Sequence, residues 1–297
     1  MLPLFLKNND EVRIISPSGV IDESLIDGAK KMLSQWGLCP SEGKFARSQY
    51  GRFAGTTTQR IADLQNALDD ENVRAIFCSR GGYGLMQIID SINFSNFKKN
   101  PKWIIGFSDI TVLHSAVSHF QIASVHSPMA KNLCEQSDDC QPILHLKNIF
   151  FGNIPEYNIE NHELNRTGIA HGEIIGGNLS VLFGLRSTKF EPDFAGKILL
   201  LEDVGEKPYH IDRMLQNLRI GNVFSSICGL LVGQFTEYEE DPQMLKTVYE
   251  LIADAVRDFD FPVCFNFPVG HTDNNFPVVF GTQSVLNVSE NGVNLKF

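Results

Sequence analysis

A serine stands at the end of an apolar run in the segment WIIGFSDIT, residues 103–111. The apolar residues before it are typical of a buried strand, and the pattern after it is typical of a helix. A sharp turn between a strand and a helix raises a serine hydroxyl above a parallel sheet and points the helix N-terminus at it. Ser108 is therefore a candidate nucleophile, although the second glycine of G-x-S-x-G is absent. The alternative is that Ser108 or Asp109 only caps the helix.

The second candidate is a glycine loop, SRGGYG, at residues 79–84. It follows the strand-like run VRAIFC and precedes a helical pattern, YGLMQIIDSI. Glycines let a backbone approach a ligand closely and point its amides at an anion, so the loop suits an oxyanion hole or a phosphate cradle. It matches neither G-x-G-x-x-G nor the P-loop spacing, which argues against nucleotide binding, and a plain tight turn is a serious alternative.

A serine nucleophile needs a base and a group that orients the base. Among the eight histidines, His114, His119 and His145 fall in helical patterns and are most simply packing or surface residues. His271 lies instead in the polar segment PVGHTDNN, after a strand-like run, where a loop could present it.

The acidic partner could come from LLLEDVGEKPYHIDR, residues 199–213. Glu202 and Asp203 end a strongly apolar strand pattern there. An acid at that position could equally cap the helix expected to start near Pro208.

Composition excludes several other classes of function. The net charge of −10, with scattered charges, argues against nucleic acid or an anionic membrane as a partner. The N-terminus lacks the features of a secretory signal, and no apolar run reaches the roughly 18 residues that span a bilayer. There is no H-E-x-x-H and no cysteine pair at zinc spacing, so we expect neither a metal nor a cofactor.

The six cysteines indicate a reducing compartment. No C-x-x-C occurs, and Cys78, Cys228 and Cys264 lie in apolar strand-like segments. We therefore expect buried, reduced thiols in a cytoplasmic protein.

The elements that must position these residues alternate along the first half of the chain. Apolar strands separated by helices predict a parallel sheet covered on both faces, up to about residue 151. Residues 152–168 are polar and are interpreted as a linker. Residues 169–297 mix strands such as KILLLED and GLLVGQF with two helical segments, 207–220 and 241–258, which predicts a smaller mixed α/β domain with partly antiparallel strands.

Taken together, SRGGYG, GFSDIT, GEIIGGNLSVL, LLLEDVGEKPYHIDRML and PVGHTDNN resemble the LD-carboxypeptidase family of serine peptidases, in the family's order and spacing. The resemblance implies a flavodoxin-like N-terminal domain that carries the nucleophile and a C-terminal domain that carries the other catalytic residues.

That resemblance also implies the residue roles. The family's Ser-Glu-His triad transfers onto Ser108, Glu202 and His271, and its oxyanion hole onto the backbone amides of Asp109 and Gly82. The implied substrate is the murein tetrapeptide, which loses its terminal D-alanine during peptidoglycan recycling. A homodimer is also implied. The substrate carboxylate needs a cation or amides, for which Arg80, beside Gly81 in the loop, is a candidate by position.

Two other functions stay open. One is that of the microcin-resistance relatives, which cleave peptidyl or aminoacyl nucleotide conjugates; EDVGEKPYHIDR looks more like the murein-recycling branch. The other is a two-domain protein that binds a small anion through its glycine loops without catalysis.

Overall fold

The computed structural model describes the chain except for residues 136 and 138. It divides into two compact units. The first contains Met1–Ile154 and Phe276–Val279, and the second contains Pro155–Asn275 and Phe280–Phe297.

Thirteen strands and ten α-helices are found among the described residues. The strands are β1 (Glu11–Ile15), β2 (Cys39–Glu42), β3 (Val73–Cys78), β4 (Trp103–Gly106), β5 (Ser124–His126), β6 (Tyr157–Ile159), β7 (Gly168–Asn178), β8 (Ile198–Val204), β9 (Gly229–Thr236), β10 (Val263–Cys264), β11 (Val278–Phe280), β12 (Gln283–Ser289) and β13 (Gly292–Lys296). The helices are α1 (Glu23–Gln35), α2 (Thr57–Asp69), α3 (Ser95–Lys99), α4 (Thr111–Ser118), α5 (Ala130–Glu135), α6 (Gln141–Phe150), α7 (Leu179–Leu185), α8 (Pro208–Ile220), α9 (Val223–Ser226) and α10 (Val248–Ala255).

The sheet of the first unit has the order β11-β5-β4-β3-β1-β2. The pairs β2/β1, β1/β3, β3/β4 and β4/β5 are parallel, which is the flavodoxin-like order 2-1-3-4-5. All four residues of β4 are buried, as are five of the six in β3, because helices cover both faces of such a sheet. The predicted α/β fold class is confirmed for this unit.

The second unit has a seven-stranded mixed sheet of order β10-β9-β8-β7-β12-β13-β6. Its β10/β9, β9/β8 and β8/β7 pairs are parallel, whereas β7/β12, β12/β13 and β13/β6 are antiparallel. Apolar residues of β8, β9, α8 and α10 form its core, among them Leu201, Val232, Leu215 and Ile252. The expected mixture of parallel and antiparallel strands is confirmed. Part of the segment interpreted as a linker forms β6, which pairs with β13.

Two predicted helices are wrong in detail. The segment YGLMQIIDSI forms two short 3-10 helices, Leu85–Gln87 and Ile89–Ser91, in place of one α-helix. In 241–258 the chain is left-handed at Leu245, with φ of 58°. A capping box between Thr247 and Glu250 then restarts the helix as α10, since it satisfies two free amides at once.

Across the described residues, all six cysteines are free thiols. Cys78 and Cys264 are buried as expected, whereas Cys228 is half-buried because it lies just before β9. None of the helices in the described ranges is both long and apolar enough to cross a membrane.

Candidate active site

Ser108 occupies a strained corner between β4 and α4. Its φ of 64° places it in the left-handed region, which non-glycine residues rarely adopt. Such a conformation costs about 1–3 kcal/mol and persists only where the surrounding structure enforces it. The half-buried hydroxyl is therefore presented by a backbone turn of the kind that holds nucleophilic serines.

The glycine loop lies directly against this serine. A Cβ placed on Gly81 would lie 2.8 Å from the Ser108 Cβ and 3.0 Å from its Oγ, so only glycine permits this approach. The loop is also held from the other side, because the amide of Gly19 donates to the Gly81 carbonyl at 3.0 Å. Gly82 has a φ of 102° and packs against Gly19. The loop is thus a tight turn that also contacts the candidate nucleophile.

Asp109 does not act as a helix cap. At the start of the 3-10 helix Ser108–Ile110 and of α4, both within the described chain, no side chain makes a cap hydrogen bond. The Asp109 carboxylate instead accepts from the hydroxyl of Ser18 at 2.6 Å and from the amide of Leu85 at 2.9 Å. Burial raises the pKa of this carboxyl, against the effect of those hydrogen bonds. The alternative that Asp109 only caps the helix is therefore wrong.

His114 ties α4 back to the end of β4. Its Nε2 lies 2.8 Å from the carbonyl of Gly106, and its Nδ1 lies 2.8 Å from the hydroxyl of Ser124. Burial lowers its pKa to about 3, so the ring is neutral near pH 7. A carbonyl only accepts, hence Nε2 carries the proton and Nδ1 accepts from Ser124. His114 is a buried packing residue, and it braces the turn before Ser108.

Arg80, the candidate for binding the substrate carboxylate, is exposed. Its Nη1 donates to the carbonyl of Val20 at 2.7 Å. This bond ties the Arg80 side chain to the loop after β1. The carboxyl ends of the parallel strands β1 and β3 meet at this edge of the sheet, where such folds bind ligands.

In the second unit, Glu202 and His271 are paired. Glu202 lies near the end of β8 and is completely buried, and its Oε2 is 2.7 Å from the Nδ1 of His271. A Cβ on Gly270 would lie 3.0 Å from that Oε2, so a glycine before the histidine lets the loop close on the carboxylate. The amide of Gly270 donates to Asn275 at 2.9 Å, which fixes the loop from its other end.

The charge of this pair sets the basicity of the imidazole. Burial lowers the pKa of His271, but the hydrogen bond to Glu202 and the charges of Glu202, Asp203 and Glu237 together raise it above its usual 6.5. With Nδ1 held by the carboxylate, Nε2 is the nitrogen that can exchange a proton with a substrate or a nucleophile.

Asp203, next to Glu202, has a different function. Its carboxylate accepts from the side chain of Asn178 at 2.9 Å and from the amide of Ser180 at 2.8 Å, so it binds the start of α7. Burial and the charge of Glu202 raise its pKa to about 7. The alternative reading, that an acid here caps the helix near Pro208, is wrong: the N-cap of α8 is Lys207, and Asp203 serves α7.

The structure thus groups Ser108, Asp109 and Gly81 in the first unit, and Glu202 with His271 in the second. Sequence reasoning missed Ser18, Arg60 and Asn275. Ser18 follows β1, and the strand order of the sheet reverses between β1 and β3. Doubly wound sheets bind ligands at this point, so the position of Ser18 after the first predicted strand was a signal that could have identified it. In the described part of the chain, no three metal-ligating side chains form a cluster that could hold a metal ion.

Comparison with known proteins confirms the resemblance expected from the motifs. The pattern of the LD-carboxypeptidase N-terminal domain matches residues 12–127, and that of the LD-carboxypeptidase C-terminal domain matches residues 171–286. A protein named Probable murein peptide carboxypeptidase, from Bacillus subtilis (strain 168), is 34% identical, with 97% of this chain and 92% of the relative covered. The Murein tetrapeptide carboxypeptidase of Pseudomonas aeruginosa is 29% identical, with 93% and 92% covered.

A solved structure agrees in fold. The muramoyltetrapeptide carboxypeptidase from Oxalobacter formigenes superposes with a TM-score of 0.87 at 24% identity, covering 96% of this chain and 97% of that one. Both domain patterns and a relative that matches nearly end to end lead to one conclusion: this chain belongs to the LD-carboxypeptidase family.

Proposed function

We propose that the protein is a serine carboxypeptidase that releases the terminal D-alanine of a murein tetrapeptide. The observation that carries this proposal is the buried Glu202–His271 pair, whose 2.7 Å contact orients an imidazole with a raised pKa. The strained turn at Ser108 supplies a fitting nucleophile. The names of the relatives, a murein peptide and a murein tetrapeptide carboxypeptidase, support this choice of substrate.

In the proposed mechanism, His271 accepts the proton of Ser108 while the serine oxygen attacks the carbonyl of the L,D-peptide bond. Glu202 keeps the proton of the imidazole on Nδ1 and stabilises the imidazolium. His271 then protonates the departing amine of D-alanine. Water releases the acyl group from Ser108 by the same steps in reverse.

We assign the binding of the oxyanion to the backbone amides of Asp109 and Gly82. Gly81, the neighbour of Gly82, lies against Ser108, which supports the second assignment. A single oxyanion donor of this type stabilises the transition state by about 3–4 kcal/mol.

The principal test is mass spectrometry of tetrapeptides after incubation with the protein. Peptides that end in D-alanine should lose it, whereas those that end in L-alanine should not. Ser108→Ala should keep the fold and lose activity by about 10³-fold or more. Trimming of an all-L peptide alone would contradict the proposed specificity.

Two further substrates address the alternatives. Cleavage of an aminoacyl nucleotide conjugate, in place of the tetrapeptide, would favour the function of the microcin-resistance relatives. Tetrapeptide binding without turnover of either substrate, unchanged in Ser108→Ala, would favour a binding protein.

Arg80 is proposed to bind the terminal carboxylate of the substrate. Arg80→Ala should raise KM for the tetrapeptide by about tenfold, since a charge-assisted bond contributes about 1.5–3 kcal/mol. A tetrapeptide with a C-terminal amide should show no such difference between wild type and variant. Arg257→Ala is the matched control, because Arg257 is an exposed arginine whose ion pair with Asp258 is at the surface. Equal effects on both substrates would contradict the role.

The cytoplasmic location and the homodimer implied by the resemblance are proposals as well. Light scattering coupled to size exclusion should give twice the chain mass of 33.2 kDa for a dimer. A mass of one chain at micromolar concentration would contradict the dimer.

A further inference from the structure

A buried side chain next to Ser108 joins the glycine loop, which follows β3, to the loop that follows β1. The Asp109 carboxylate is 2% exposed and accepts from Ser18, in the loop after β1, and from the amide of Leu85, at the end of the loop after β3. The backbone of Gly84 also acts to lower the pKa of this carboxyl. One side chain therefore connects the serine turn to both loops.

Arg60, which is also 2% exposed, makes a parallel connection. Its Nη1 donates to the carbonyls of Pro17 at 3.0 Å and Gly84 at 2.8 Å, so it joins the same two loops from α2. Its guanidinium lies over the ring of Phe53, 4.9 Å from the centroid. Its positive charge also opposes the effect of burial on Asp109. The buried carboxylate thus has a buried counter-charge.

The segment so connected would otherwise be loose. Gly81, Gly82 and Gly84 lie within four residues, and the last two have positive φ values of 102° and 147°. Glycines lose more conformational entropy on ordering than other residues. An amide that stabilises an oxyanion must nevertheless be fixed before the reaction, because reorganisation during the reaction would cancel its effect.

We propose that the Asp109 side chain is a positioning group that fixes the glycine loop against Ser108 through Ser18 and the amide of Leu85. The proposal rests on the proposed function, since it concerns the loop to which the oxyanion is assigned. It gives the Asp109 side chain a role separate from that of its own backbone amide.

Three variants test the connection. Asp109→Ala removes the acceptor, Asp109→Asn keeps an oxygen in place and removes the charge, and Ser18→Ala removes one donor. The matched control is Asp63→Ala in α2. Asp63 is 5% exposed and accepts from the amide of Phe45 at 2.8 Å, so its loss also leaves an amide without its acceptor, but in the loop after β2 instead of the glycine loop.

Asp109→Ala should lower kcat by about 10²-fold with KM changed less than about threefold, because an oxyanion donor acts only in the transition state. Asp109→Asn should recover at least about tenfold of that loss, and Ser18→Ala should lower kcat by about three- to tenfold. Asp63→Ala should keep kcat within about twofold of the wild-type value, even if its thermal midpoint falls as far as that of Asp109→Ala. The rate at which a fluorophosphonate labels Ser108 should follow kcat.

A kcat in Asp109→Ala equal to that of Asp63→Ala would overturn the proposal, and so would a rise in KM alone. If Asp109→Ala fails to fold, Ser18→Ala decides, and an unchanged kcat there counts against the proposal. Ser108→Ala, run in parallel, tests the proposed function separately from the role of Asp109: hydrolysis near the wild-type rate, or labelling by the fluorophosphonate, in that variant would refute Ser108 as the nucleophile. The hydrogen exchange of the Leu85 amide, which should accelerate in Asp109→Ala alone, reports on the connection without any catalysis.

Discussion

Glu202 and Asp203 show how one strand supplies two carboxylates with separate functions. Successive side chains of a strand point to opposite faces of the sheet, so neighbours in sequence meet different partners. Glu202 contacts His271, whereas Asp203 contacts the start of α7. Both are buried, and the charge of Glu202 helps to raise the pKa of Asp203. The arrangement places negative charge behind His271, where an imidazolium would form in the proposed reaction.

The pKa of His271 gives the first prediction. A general base must be neutral, so kcat/KM should rise with pH through the pKa of His271, which lies above 6.5. Glu202→Gln removes the charge and the charged hydrogen bond and leaves burial, which lowers the pKa. The acid limb of the profile should therefore move to lower pH by about one unit or more, while the plateau falls by about 10²–10⁴-fold.

A pH profile of kcat/KM from pH 5 to 9, with an NMR titration of the ring, measures both effects. Glu206→Gln is a suitable control, since Glu206 contacts a different histidine, His210. An acid limb at the same pH in Glu202→Gln and wild type would rule out His271 as the titrating base.

Asp203 gives a prediction about stability. Its pKa is about 7 in the folded protein and near 3.8 in an unfolded chain, so the folded state binds more protons between these values. The free energy of unfolding should therefore fall as pH rises through this range. Asp203→Asn should flatten that dependence. Urea unfolding of both proteins at pH 4 to 6 tests this, because His271 is protonated in both states there; parallel curves would contradict the assigned pKa.

At the scale of elements, strong apolar periodicity was sufficient to predict β3, β4, β8 and β9 and the mixed character of the second sheet. The two 3-10 helices after Gly84 were missed because the apolar pattern of such a short segment is also typical of an α-helix. Strand β2, with the sequence CPSE, was missed because it is at the sheet edge and carries no apolar pattern. The apolar pattern therefore fails to predict an element where it is absent or where it fits two kinds of helix.

Some residues of the candidate site can also be predicted from the sequence, whereas others cannot. Ser108, Glu202 and His271 are recognisable because they lie in motifs at the ends of predicted strands. Arg60 is in the first turn of α2, where its sequence context is that of an ordinary surface arginine. Only the folded chain shows that it is buried and joined to Pro17 and Gly84.

Alanine substitutions at two glycines test whether the close contact between the glycine loop and the turn at Ser108 matters for activity. Alanine at Gly81 would place its Cβ 2.8 Å from the Cβ of Ser108, so the loop or the serine must shift. We expect kcat to fall by about 10–10²-fold, because the proposed oxyanion donor moves with the loop. Gly184 is exposed within α7, and a Cβ there meets no atom within 4 Å.

Gly184→Ala is therefore the matched control. It should keep activity and raise the free energy of unfolding by about 0.5–1 kcal/mol, since alanine restricts the unfolded chain. Steady-state kinetics and urea unfolding of both variants give the comparison. A Gly81→Ala enzyme with wild-type kcat would show that the loop tolerates the extra atom and that its contact with Ser108 has no catalytic role.

At the scale of the whole molecule, each unit has its own sheet and contributes a different part of the proposed triad. The first provides a strained serine with a fixed glycine loop, and the second provides a histidine already oriented by a buried carboxylate. Neither part is a complete catalyst for acyl transfer, since a nucleophile without a base is weakly reactive. The proposed function therefore requires that the two parts act as a unit.

A double-mutant cycle tests that requirement. If Ser108 and His271 act together, Ser108→Ala, His271→Ala and the double variant should all retain about the same residual activity, because the second change removes nothing further. Independent groups would instead give a double loss equal to the product of the single losses. Tetrapeptide hydrolysis by the four proteins, with circular dichroism to confirm folding, supplies the cycle. A product of losses would mean that His271 and Glu202 serve another process and that Ser108 is activated by a different group.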